Sequence, residues 1–152
     1  MKRKMIALVT AIIIAMTAQA QSPFFKKCEN VKGVTTVYIS NAMLKMAGNI
    51  EGLGVSDKSL LSKKIDNVQI VNSENSEGRA YLDKHLGMIS PEKGYEILMK
   101  INEDDENVTI YRQDLDKKKS RFVVITKEPD EISVVTIEGA MTIEDVSRCV
   151  KK

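Results

Sequence analysis

One histidine, two cysteines and a run of four carboxylates are the side chains here with the widest chemical reach. A serine or cysteine nucleophile needs a base beside it and a third group to orient that base. His85 is the single histidine of the chain, and no motif surrounds it. It falls mid-helix, four residues after Tyr81, and reads as a partly exposed structural residue. Cys28 and Cys149 lack the C-x-x-C spacing of redox and zinc sites.

Glu103-Asp104-Asp105-Glu106 is the densest acidic run, and clustered carboxylates can bind calcium. The run has neither the alternating ligands nor the sixth-position glycine of an EF-hand loop, and it reads as a solvated turn between a helix and a strand. Asp114 and Asp116 lead directly into Lys117-Lys118-Lys119, alternating charge that suits a hairpin tip. Gly52-Leu53-Gly54 follows a helix and lacks the lysine and threonine pattern of a phosphate loop. Asn107-Val108-Thr109 fits a glycosylation acceptor and reads as a chance match. Met43, Met46, Met88, Met99 and Met141 read as flexible core fillers. No catalytic residue, cofactor or metal site is assigned, and enzymatic activity is not the expected role.

The elements that would hold these residues alternate at first and then become uniform. Ser22-Pro23 opens a short helix with Phe24, Phe25 and Cys28 on one side. Val34 to Ile39 is a β-branched and aromatic run bounded by Gly33 and Ser40, hence a strand. Ser40 or Asn41 caps a helix through Met43, Leu44 and Met46, and Asn67 to Val71 reads as the next strand. A helix over Glu77 to Met88 follows, then a second from Ser90-Pro91, with Ile97, Leu98 and Ile101 as its apolar stripe.

Val108 to Gln113, Phe122 to Lys127 and Ile132 to Ile137 form a three-strand meander, with the Val108 run a candidate edge. Thr142-x-x-Asp145 starts a last helix as a capping box. The expected fold is α+β: a mixed sheet of about five strands, one β-α-β unit followed by the antiparallel meander, with helices packed on it.

The first twenty residues stand apart from this pattern. Lys2, Arg3 and Lys4 precede an apolar run from Met5 to Met16, and Ala18-Gln19-Ala20 places small residues at the cleavage positions of a secretory signal. The apolar run is shorter than the roughly 20 residues a membrane span requires. The expected organisation is a signal peptide over residues 1–20 and one domain over residues 21–152, periplasmic or secreted. Gln21 at the new amino terminus argues against a lipoprotein, which would carry cysteine there. Residues 1–20 hold three of the 23 basic residues and none of the 21 acidic ones, leaving a formal charge of −1. That balance gives no sequence-wide counter-charge for nucleic acid, and no later stretch approaches membrane length.

In an oxidising compartment Cys28 and Cys149 can bridge, closing a loop worth roughly 4 to 5 kcal/mol in the chain-entropy model. Two buried thiols filling apolar space are the other reading.

Four stretches together carry a family resemblance: Val34 to Leu44, Lys64 to Val71, Val108 to Tyr111, and Ile137 to Val146. They resemble domain of unknown function 4252, a family of small secreted proteins of Gram-negative bacteria. The resemblance spans nearly the whole mature chain. It implies a periplasmic or outer-surface location and no assigned activity, and it brings no functional residue with it.

The expected function is that of a non-enzymatic envelope module that binds or regulates another envelope protein. The alternative is a small-ligand or carbohydrate-related enzyme or binder using carboxylates such as Glu103 to Glu106, and a third, structural possibility is strand-edge assembly into oligomers.

Overall fold

The computed structural model describes residues 21–46 and 64–145. Helix α1 (Pro23–Cys28) leads into strand β1 (Val34–Ser40), helix α2 (Asn41–Met46), strand β2 (Ile65–Ser73) and helix α3 (Ser76–His85). Two single 3₁₀ turns, Leu86–Met88 and Pro91–Lys93, precede strands β3 (Glu96–Asn102), β4 (Asn107–Asp114), β5 (Ser120–Lys127) and β6 (Ile132–Gly139). The six strands form one sheet in the order β1-β2-β6-β5-β4-β3. Every neighbouring pair is antiparallel.

The expected mixed sheet with a β-α-β unit is therefore wrong. Ser40, the last residue of β1, lies opposite Asn67 near the start of β2. The chain leaves and re-enters the sheet at the same end, so the connection through α2 is a long return and not a crossover. Parallel pairing would need the chain to travel back along the whole strand before pairing.

The expected helix after Ser90-Pro91 is also corrected. Proline at the first position starts only one 3₁₀ turn, because Gly94 at φ 91° takes the left-handed conformation that ends it. Glu96–Asn102 then runs as strand β3, which takes the edge position and puts β4 inside the sheet. A bulge between Ile97 and Met99 interrupts its alternation. With the bulge, Ile97 opposite Tyr111 and Ile101 opposite Val108 fall on opposite faces of the sheet, so Ile97, Leu98 and Ile101 do not form the single apolar stripe their spacing suggests.

One face of the sheet carries most of the core. Phe24, Phe25 and Cys28 of α1 and Leu82 of α3 pack on Val71, Val123, Ile125, Ile132 and Val134. Ser22 caps α1, its Oγ accepting from the Phe25 amide at 3.2 Å, so the helix starts where proline tolerates a missing N–H. On the opposite face Leu44 and Met141 cover Ile65, Val68 and Phe122.

Two glycines are set by close approach. Gly78 in α3 lies so near Gly33 that an added Cβ would stand 1.7 Å from the Gly33 oxygen. Gly139 ends β6 against β2, where a Cβ would lie 2.1 Å from the Lys64 oxygen. The Thr142 capping box forms as its sequence implies: the Thr142 amide donates to Asp145 Oδ2 at 3.0 Å and the Asp145 amide to Thr142 Oγ1 at 3.2 Å.

Candidate functional site

Strand alternation sends residues two apart to the same face, and on the α1-covered face it assembles a polar row. Gln113 of β4, Arg121 of β5, Glu138 of β6 and Asn67 of β2 lie directly opposite one another in turn. Arg121 Nε donates to Glu138 Oε2 at 2.5 Å, and Arg121 Nη1 donates to Gln113 Oε1 at 2.7 Å. Asn67 Nδ2 and Gln69 Nε2 each donate to Glu138 Oε1 at 3.0 Å. Gln69 Nε2 also donates to Asn67 Oδ1 at 2.8 Å, while its Oε1 accepts from the Ser22 amide at 3.0 Å and the Ser22 hydroxyl at 2.8 Å. The network thus runs from the cap of α1 through four strands.

Its charges are deeply placed, with 11 % of the Arg121 side chain and 5 % of the Glu138 side chain exposed. A buried carboxylate is tolerable only when paired and hydrogen-bonded, and Glu138 meets both conditions. Both of its oxygens are committed to donors, so it is poorly placed to take a proton from a substrate. The arrangement acts as a clasp between α1 and the sheet.

Above it lies an open cleft of about 670 Å³ lined by Lys26, Asp66, Asp116, Lys119, Arg121 and Glu138. Lys119 Nζ pairs with Asp66 Oδ2 at 2.7 Å across this opening. Asp116 Oδ1 accepts the amides of Lys118 and Lys119 at 2.8 and 2.9 Å, and these bonds hold its carboxyl below the usual range. The cleft wall is therefore built from charges already paired, with no nucleophile beside a free base.

The residues singled out in the sequence are scattered. His85 closes α3, its Nδ1 2.8 Å from the Tyr81 oxygen and its ring centroid 4.2 Å from that of Tyr81. It lines neither this cleft nor the smaller opening of about 320 Å³ beside Phe24, Met88 and Tyr95. The Glu103 to Glu106 run is the tip of the β3–β4 hairpin, closed by the Glu103 amide on the Glu106 oxygen at 2.9 Å. It joins two strands, not a helix and a strand. Among the described residues no group of three or more histidine, cysteine or acidic side chains is placed to hold a metal ion. Met141 is core, whereas Met43, Met46 and Met99 are exposed, so the reading of all five methionines as core fillers does not hold.

Cys28 is fully buried, and as a thiol it is pushed up to about 11 by desolvation. Its expected partner Cys149, the Gly52-Leu53-Gly54 segment and residues 1–20 lie outside the described residues. No helix among the described residues is long and apolar enough to cross a membrane.

The model of the family described as domain of unknown function (DUF4252) matches residues 25–149. The chain belongs to the DUF4252 family. No curated protein and no solved structure matches it. The DUF4252 match takes in Asn67, Gln69, Gln113, Arg121 and Glu138, while Ser22, which ties α1 to Gln69, precedes it.

Sequence reading overlooked the clasp of this DUF4252 domain because its members are spread over β2, β4, β5 and β6. A usable signal existed in the polar pair Asn67 and Gln69 on the inward side of β2, alternating with Val68 and Ile70, and in Glu138 at the inward phase of β6. Inward polar residues at the ends of neighbouring strands imply partners across the sheet.

Proposed function

We propose that this DUF4252 protein is a non-enzymatic binding module of the bacterial envelope that engages another envelope protein through its sheet. One observation carries the reading: an unbroken apolar row crosses the face opposite α1. Val37, Ile70, Val135, Val124, Ile110 and Met99 stand opposite one another in register through all six strands. The row ends on both edge strands in exposed side chains, Val37 at 41 % and Met99 at 49 %. Within the row Ile110 is buried and Ile70, Val124 and Val135 are half-buried, so its exposed apolar surface lies at the two edge strands, and exposed apolar patches mark interaction sites. The commitment of Glu138 to three side chains and the solvated position of Glu103, Asp104 and Asp105 favour contact over carboxylate chemistry.

Location in the envelope rests on residues 1–20: a basic start, a short apolar run and small residues before Gln21. The proposal places the mature protein in the periplasm or outside, without a lipid anchor. An intact mass of protein recovered from the periplasmic fraction, beginning at Gln21, is the expected result; an uncleaved chain in the cytoplasm refutes this part. For binding, the immobilised protein should retain an envelope protein that Met99→Lys loses and His85→Ala keeps. Retention of nothing above background, or equal retention by Met99→Lys, counts against the reading.

A further inference from the structure

We infer that β1 is a pairing edge for a second copy of this chain, joining two sheets about a two-fold axis at Val37. The inference rests on the reading of the sheet as a contact surface, but needs no envelope partner. The two edges of the sheet differ in their protection. Edge strands are normally guarded by charge, proline or a bulge. Strand β3 has Glu96 and Lys100 and a bulge between Ile97 and Met99. Strand β1, Val-Thr-Thr-Val-Tyr-Ile-Ser, has no charge and no proline, and its seven residues pair with β2 without a shift in register. No strand among the described residues lies outside it.

The choice of a second copy follows from the sequence of β1 itself. Antiparallel pairing about Val37 sets Val37 against Val37, Thr36 against Tyr38, and Thr35 against Ile39 of the other copy. On each face a small β-branched residue then meets a larger one, and such β-branched and aromatic cross-strand pairs are favourable. No like charges meet, because the strand carries none. The same register continues the apolar row, so that Val37, its outermost member, becomes an interior residue of a row twice as long. An unrelated extended peptide would have to supply this match; a second copy carries it by symmetry.

Sedimentation equilibrium of the purified protein over a concentration series tests the inference. The expected result is a monomer–dimer equilibrium that Val37→Lys weakens by about tenfold or more, since two ammonium groups then face each other. Met99→Lys on the opposite edge should leave it unchanged. Val37→Cys keeps the test independent of a lysine that disturbs folding: directly opposite residues have Cα atoms about 4.5 or 5.5 Å apart, within disulfide reach, so mild oxidation should yield a dimer bridged between the two substituted positions. Thr36→Cys should crosslink to Tyr38→Cys in a mixture more readily than to itself. A wild-type monomer at every concentration with no Val37→Cys dimer overturns the inference, as does a dimer lost on Met99→Lys and kept on Val37→Lys. An envelope partner captured by a strictly monomeric protein would sink this inference while leaving the binding reading intact.

Discussion

Arg121 and Glu138 face each other across β5 and β6 in direct register, with Arg121 Nε 2.5 Å from Glu138 Oε2. The pair is the charged centre of a clasp whose outer members are the amides of Gln113, Asn67 and Gln69. Removing one partner strands a buried charge, whereas the intact pair contributes little beyond what apolar residues of equal size would. Arg121→Met or Glu138→Leu alone should lower stability by about 3 to 5 kcal/mol in urea unfolding. The double substitution should cost less than the sum, because neither charge is left behind. Additive losses would show that the two residues act independently.

Gly78→Ala should be severe for so small a change. The new methyl would lie 1.7 Å from the Gly33 oxygen, a backbone atom that cannot move without shifting the start of β1. Forced repacking of this kind costs about 1 to 3 kcal/mol and can cost more. Gly87→Ala is the control, since nothing lies within 4 Å of its added Cβ. A Tm for Gly78→Ala equal to that of Gly87→Ala would refute the close approach.

Acid should loosen the capping box after β6. The Thr142 amide first, and then Lys64 Nζ at 2.9 Å, hold the Asp145 carboxyl below its ordinary 3.8. A depressed carboxyl contributes stability that is fully present above its unfolded pKa and lost as pH falls through its folded one. Asp83, lowered by its bond to Lys127, acts in the same sense. Urea midpoints should therefore hold steady down to the carboxylate range and drop below it. In Asp145→Asn the drop should be smaller, with about 1 kcal/mol of the cap already lost at neutral pH. An unchanged acid response in that variant would remove Asp145 from the account.

In reduced protein the Cys28 thiol should resist alkylation. With its pKa pushed up to about 11, only about one thiol in a thousand is ionised at pH 8, and the side chain is fully buried. Peptide mapping after iodoacetamide treatment should find Cys28 unmodified in native protein and modified in denaturant. Labelling at equal rates in both states would contradict the burial. Running the same map without prior reduction reports whether Cys28 and Cys149 are bridged, as export would permit.

The strands were readable where alternation and β-branching coincide. Val34 to Ile39, Phe122 to Lys127 and Ile132 to Ile137 fall within β1, β5 and β6, because Val, Ile, Thr and aromatic residues suit a pleated, half-buried surface. Ser40 and Thr142 were readable as caps for a local reason: a hydroxyl three residues from its amide needs no tertiary information. Strand β3 was hidden because Ile97, Leu98 and Ile101 are spaced as on a helix, while the bulge between Ile97 and Met99 breaks the alternation that marks a strand. The direction of β2 was hidden as well, since the stretch between Ser40 and Ile65 is long enough for either a return or a crossover. The clasp depends on register between strands far apart in sequence, and nothing local encodes the meeting of Asn67 with Glu138.

The strand order has a kinetic meaning. Strands β3 to β6 pair with immediate sequence neighbours, so each loop closed there is short. Among the strand pairings, the β2–β6 seam alone joins the two halves of the described chain, bringing Ile65 opposite Gly139. Loop closure must be met before such distant contacts reward it. Refolding is therefore expected to form the meander early and to wait on the docking of β2, so that substitutions in the hairpins, already formed in the transition state, slow folding, while those at seam contacts completed after it mainly speed unfolding.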